Sequence, residues 1–221
     1  MGSSRFPGKM FEMLGAFKIL EWVLERVRRA SLIDHIVIAT TTNPLDDCIE
    51  HLAKQNEVTV FRGSENDVLG RFIAAAELAN AEHVIRICAD NPLIDPKEID
   101  RLIAHFYSNP CHYAFNNLDR GRNGYADGFG AEILSIEMLK HLACKACEQR
   151  YREHVTLYLW DNESDYKIET IQAPPSLRYP NLRFDVDTPD DLIYLSELVK
   201  AGVDINSSSK NIIQIALNIQ R

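Results

Sequence analysis

The sequence predicts an α/β fold, a mostly parallel sheet with helices on both faces. Short apolar runs rich in β-branched residues, His35–Thr40 (H-I-V-I-A-T), Val58–Phe61 and His83–Cys88, read as strands buried on both sides. Amphipathic helical stretches separate them, and the resulting β-α-β-α rhythm is the signature of parallel strands joined by crossover helices. Such sheets bind ligands beyond the carboxyl ends of their strands, where Thr41, Arg62 and Asp90 fall.

The elements follow in order. Ile19, Leu20, Val23, Leu24 and Val27 recur at helical spacing, which predicts a first helix from about Lys18 to Ala30. After the strand at His35, Pro44 can start a helix and Asp46 and Asp47 suit its positive end. Helices are expected at Asp67–Ala79 and Pro96–Tyr107. Beyond Asn109 the rhythm changes: Tyr113–Asn116 and Ala131–Leu134 read as strands around a turn rich in glycine (Gly121, Gly124, Gly128, Gly130). Helices are then predicted at Ile136–Cys147 and Tyr151–Trp160, and strands at Tyr166–Ile171 and Leu182–Val186. Helices near Pro189 and over Lys210–Asn218 complete the chain. No repeat or linker divides the 221 residues, so a single domain is expected.

Composition narrows the class. With 46% hydrophobic residues the chain can bury a substantial core. No run approaches the roughly 20 apolar residues of a membrane span. A net charge of −8 argues against nucleic acid, since neutralising phosphates needs a basic face. Five cysteines form no even framework, which favours reduced thiols in the cytoplasm. Cys144 and Cys147 are a lone C-x-x-C, without the second pair that a structural zinc site needs.

The most informative stretch is Met1–Lys9, M-G-S-S-R-F-P-G-K. Gly2, Ser3 and Ser4 let the backbone approach an anion and aim its N–H groups at it. Pro7 and Gly8 fix a turn, and Lys9 supplies a compact positive charge for phosphate oxygens. This is not a Walker A loop, because no G-x-x-x-x-G-K-[ST] run occurs. Two carboxylate segments complement it. Asp90 stands where an apolar strand stops, before Asn91 and Pro92, and Asp185 and Asp187 are two apart on a predicted strand, hence on one face. Magnesium favours a few carboxylates plus substrate phosphates over an all-protein cage.

The G-S-S-R-F-P-G-K loop resembles the signature loop of the cytidylyltransferases that activate acidic sugars, the acylneuraminate and 3-deoxy-manno-octulosonate enzymes. It is most similar to their spore-coat-polysaccharide branch, where the loop reads A-R-M-G-S-S-R-L-P-G-K. The likeness continues in order through Arg62–Arg71 (R-G-S-E-N-D-V-L-G-R), Arg86–Leu93 (R-I-C-A-D-N-P-L), Arg152–Thr156 (R-E-H-V-T) and Asp185–Asp191 (D-V-D-T-P-D-D). Five motifs thus cover nearly the whole chain.

The resemblance implies a Rossmann-like nucleotidyltransferase sheet, with about residues 110–172 forming a lid and dimer contact. It implies transfer of CMP from CTP to an acidic sugar, release of pyrophosphate, and a homodimer. Asp90 and Asp187 match metal-binding aspartates that would hold Mg2+, and Asp185 a neighbouring active-site acid. Lys9 matches a phosphate-binding lysine, which Arg5 would assist beside Gly2, Ser3 and Ser4. Arg62 and Arg71 flank their motif as nucleotide contacts, Arg62 the better placed at a strand end. Asp127, Glu132, Arg152 and His154 fall in the sugar-binding segment, although a single histidine in an amphipathic helix is more often structural. No general base is assigned. A different nucleotide with a sugar-phosphate acceptor, or a silent nucleotide-binding homologue, stays open at this point. The family's loop follows a hydrophobic strand and an Ala-Arg pair, whereas this chain begins at the loop's own Met. The expectation is therefore an N-terminally shortened chain whose sheet shows a gap, a substitute strand or a donated one, with weakened CTP binding.

Overall fold

The computed structural model describes residues 5–117 and 122–219. A small hairpin, β1 (Met13–Leu14) with β2 (Phe17–Lys18), leads into α1 (Ile19–Val27). Then come β3 (Val37–Thr41), α2 (Asp47–Gln55), β4 (Thr59–Gly63), α3 (Val68–Leu78), β5 (His83–Arg86) and α4 (Pro96–Ser108). The second half holds β6 (Tyr113–Phe115), β7 (Glu132–Ser135), α5 (Ile136–Lys145), α6 (Gln149–Glu153), α7 (Leu157–Asp161), β8 (Ile168–Thr170), α8 (Pro189–Lys200) and α9 (Ser209–Ile219).

Local chemistry sets many of these boundaries. Asp67, Asp95, Ser135 and Thr188 each accept an N–H from the first turn of α3, α4, α5 and α8, satisfying donors the helix leaves unpaired. Pro96 and Pro189 stand at the first helical position, where a missing N–H costs nothing. The turn before α2 is a short 3-10 segment, Pro44–Asp46, capped by the Asn43 side chain.

Strand alternation divides the core into two layers. Ile133, Ala114 and Ile85 pack with α1, α4, α8 and α9, while Leu134, Tyr113, Phe115 and Val84 pack with α3, α5, α6 and α7. Trp22, 2% exposed, donates its indole N–H to the Leu14 carbonyl. Arg26 is equally buried and donates to the carbonyls of Ile94, Ile205 and Ser207, tying α1 to both flanking connections. Burial lowers its pKa to about 10, which leaves it charged at neutral pH.

Three expectations need correction. The strands form two separate blocks, β3–β4 paired in parallel and β5–β7–β6–β8, in which β7 runs antiparallel to both neighbours and only β6–β8 is parallel. The sheet is mixed because β6 and β7 come from the glycine-rich segment after α4, not from a crossover. The expected strand at Leu182–Val186 makes only an isolated bridge, Asp127 to Arg183. Leu182 and Phe184 each bond the Asp127 backbone, and the Val186 N–H donates to the Asp90 carbonyl. The helix expected over Tyr151–Trp160 is two short ones, broken where Val155 and Thr156 turn inward. Gly121, of the glycine-rich turn, lies outside the described residues. Among those described, no strand is hydrogen-bonded to both β3 and β5, and no helix is long and apolar enough to cross a membrane.

Gly128 brings the two site-bearing loops together. It has φ 97°, and a Cβ there would come within 2.9 Å of the Phe184 carbonyl carbon. Gly128→Ala should destabilise the fold by at least about 2 kcal/mol through backbone strain and crowding. For a chain of this size that is a fall of about 4–8 °C in the melting midpoint, checked by calorimetry.

Candidate active site

Three segments far apart in sequence converge beyond the carboxyl end of β5. The first is the N-terminal loop. Gly8 adopts φ 76°, a left-handed conformation that glycine tolerates, and starts the 3-10 turn Lys9–Phe11. The second is Asp90, four residues past β5. The third is Leu182–Asp187, locked by a capping box in which Thr188 and Asp191 bond each other's backbone N–H. Asp191 also accepts the N–H of Asp187. Thr188 is the cap residue, so the Asp187 carboxylate is left for the crevice.

Lys9 joins them. Its ammonium lies 2.7 Å from Asp90 Oδ2, 2.7 Å from the Val186 carbonyl and 3.3 Å from Asp187 Oδ1. Three acceptors match three ammonium protons, which is why a lysine can be buried here. Arg5, still exposed, places Nη2 3.0 Å from the same Asp187 oxygen. Arg183 pairs with Asp185 at 2.6 Å and reaches Asp187 at 3.5 Å. Asp127 approaches through the backbone: it accepts from the Phe184 N–H and donates to the Leu182 carbonyl. Burial and the Asp185 charge, opposed by Arg183, push the Asp127 carboxyl up to about 6.

The remaining candidates lie in other surroundings. Gly2, Ser3 and Ser4 fall outside the described residues. Arg62 donates to the carbonyls of Thr41 and Asn43 and pairs with Asp47 and Glu50, binding β3, β4 and α2 together. Arg71 donates to the Ser64 carbonyl, and its buried Nε has no partner among the described residues. Arg152 donates to the Ala143 and Ala146 carbonyls, so it serves the end of α5. His154 is exposed after α6. Glu132 is 3% exposed and gathers Arg86, the Tyr113 hydroxyl and the Thr156 hydroxyl at 3.0 Å.

Sequence reasoning missed Arg183. The available signal was the alternation Arg183-x-Asp185-x-Asp187, which puts one cation between two acids on one face of extended backbone. It also did not foresee the Val186 carbonyl as a ligand of Lys9.

An α/β sheet with a cationic loop facing aspartates at its carboxyl edge is the architecture of a nucleotidyltransferase. The comparisons agree. A family model described as cytidylyltransferase matches residues 1–215. The spore coat polysaccharide biosynthesis protein SpsF of Bacillus subtilis is 34% identical, over 97% of this chain and 90% of its own. A 3-deoxy-manno-octulosonate cytidylyltransferase of Trichlorobacter lovleyi is 26% identical, over 91% of this chain and 96% of its own. The solved cytidylyltransferase of Leptospira borgpetersenii superposes with a TM-score of 0.91 at 30% identity, covering 100% of this chain and 91% of its own. The chain belongs to the cytidylyltransferase family.

The Asp127 carboxyl carries a pH signature. Between its ordinary value of 3.8 and about 6, the folded protein holds a proton that the unfolded chain releases. Stability from this group therefore falls as pH rises through that window, and the ionised form is a cost above it. In metal-free buffer Asp127→Asn should melt higher than the parent at about pH 7.5, and the two should converge below about pH 4. Melting curves across that range check it, and a constant difference at all pH values would remove the titration as the cause.

Proposed function

We propose that the protein transfers CMP from CTP to an acidic sugar, a ulosonic or nonulosonic acid, and releases pyrophosphate, in support of surface polysaccharide synthesis. The observation that carries this reading is the meeting of Lys9 with Asp90 and Asp187 at the carboxyl edge of the sheet. In the reaction a sugar hydroxyl oxygen attacks the α-phosphorus, the bond to the bridging oxygen breaks, and pyrophosphate leaves with that oxygen. Both substrates are anions, so positioning and charge neutralisation dominate the barrier. Lys9 and Arg5 supply positive charge on the triphosphate side. The hydroxyl proton is lost to solvent, and no side chain is assigned as its base.

Magnesium fits the residues present. The Lys9 ammonium already marks a cation position between two carboxylates whose oxygens are within about 6 Å of each other, by the sum of their distances to it. Among the described residues no cluster of three or more His, Cys, Asp or Glu side chains could cage an ion. Two carboxylates completed by substrate phosphates and water are the arrangement this ion accepts. Asp90 and Asp187 would hold it. When bound it would polarise the α-phosphate and lower the pKa of an attached hydroxyl. The same reading takes the protein as a cytoplasmic homodimer.

A screen of CTP and other nucleoside triphosphates against several ulosonic acids and sugar phosphates tests the reading by pyrophosphate release. Release is expected with CTP, a ulosonic acid and magnesium. Equal release in excess chelator, or a preference for another nucleotide, would overturn it. Lys9→Ala should lower turnover by about 100-fold or more, the loss of one charge stabiliser. The apolar cavity between β3 and β5, the strand that leads to Asp90, favours a second reading, a homologue that binds nucleotide without turnover. CTP binding by calorimetry with no pyrophosphate under any condition would select it.

A further inference from the structure

Lys9 occupies the position proposed above for a divalent ion. Its ammonium takes one oxygen of each carboxylate, Asp90 Oδ2 at 2.7 Å and Asp187 Oδ1 at 3.3 Å. An oxygen so close to an ammonium cannot also take an ion at about 2.1 Å without setting two cations side by side. The lysine is also held more firmly than a surface ion pair, with its side chain only 10% exposed. Its third acceptor is the Val186 carbonyl at 2.7 Å. An ammonium that leaves three acceptors must find others. A bare divalent ion offers none, whereas a triphosphate brings anionic oxygens into the same crevice.

We infer that Lys9 is a lock on the carboxylate pair: it keeps a bare divalent ion off Asp90 and Asp187, and it frees them when a triphosphate draws its ammonium away. This rests on the metal and nucleotide roles proposed above and adds an order to them. The ion enters with the nucleotide, not ahead of it.

The surroundings suit such an exchange. Backbone contacts place the two acids independently of the lysine. The Val186 N–H donates to the Asp90 carbonyl at 2.9 Å, and the Asp187 N–H to Asp191 Oδ2 at 2.9 Å. The pair therefore stays in position once the ammonium departs. The other cations nearby do not form the lock. Arg5 touches the same Asp187 oxygen at 3.0 Å, but its side chain is 65% exposed and can turn into solvent at little cost. Arg183 is engaged by Asp185 at 2.6 Å and reaches Asp187 only at 3.5 Å. Among the described residues, Lys9 alone bridges Asp187 to Asp90.

Manganese is a suitable probe because it takes the same oxygen donors. The readout is manganese retained by the full chain in ultrafiltration, which needs no turnover. Without nucleotide, Lys9→Met should hold Mn2+ at least about tenfold more tightly than the parent. Lys9→Gln, which keeps a donor for the Val186 carbonyl, should do the same, so the test does not hang on one variant folding. Arg5→Met removes an equal charge from the same acid and should gain less than about threefold. The parent should retain Mn2+ as its CTP complex at concentrations where it passes bare Mn2+. Equal retention of bare Mn2+ by the parent and both Lys9 variants, abolished by Asp187→Asn, would overturn the lock and leave the metal site standing. A gain in Lys9→Met that survives the addition of Asp187→Asn would overturn both. An equal gain in Arg5→Met would reduce the effect to general charge and overturn the lock. So would a parent that retains neither bare Mn2+ nor its CTP complex.

Discussion

The Lys9 ammonium is the interaction on which the rest of the candidate site depends. It ties residues 81 and 178 positions away in the chain, Asp90 and Asp187, to a loop with little regular structure of its own. Burying a lysine is unfavourable unless its charge is matched and each proton has an acceptor. Two carboxylates and the Val186 carbonyl meet that condition. The same contacts bring the carboxylates together, since without a cation their like charges would favour separation. Loop, strand end and C-terminal segment therefore hold one another in place.

Charge is distributed locally around this point. The chain carries a net −8, and four aspartates (Asp90, Asp127, Asp185, Asp187) face one region. Arg5, Lys9 and Arg183 offset much of that charge, and Asp127 relieves part of the rest by holding its proton more tightly. An anionic substrate then meets cations already fixed in position rather than cations it must reorganise, which is the electrostatic condition for catalysis in a partly desolvated crevice. Arg62 and Arg152 take no part in this balance. Both are held by backbone carbonyls and by carboxylates, so they brace helices and strands.

The sheet has a different weakness. β6 and β7, paired on both edges, are sealed from solvent, while β3 and β5 border an apolar slot. Nothing in the hydrophobic pattern of either strand reveals this cavity, since a run such as H-I-V-I-A-T reads the same whether one edge or both are paired.

Much of the architecture was legible in the sequence. Apolar spacing located α1, Pro189 and the acids after it located α8, α3 and α4 were also expected, and Asp67, Asp95 and Thr188 set starts by local hydrogen bonding, within one residue of the expectation. Lys9, Asp90 and Asp187 were legible as chemistry, by a cation after a Pro-Gly turn and acids after predicted strands. Tertiary structure decided what depends on partners distant in sequence. The antiparallel insertion of β7, the bridge-like course of Leu182–Val186 and the capture of Arg152 by α5 follow from which backbone groups were left unpaired nearby. Glu132 shows the same division. Its alternation marked it as a strand residue, but its burial is possible only because Arg86, Tyr113 and Thr156 converge on it from three other segments. Local sequence fixes backbone preferences over a few residues, whereas the satisfaction of a buried charge is a property of the assembled neighbours.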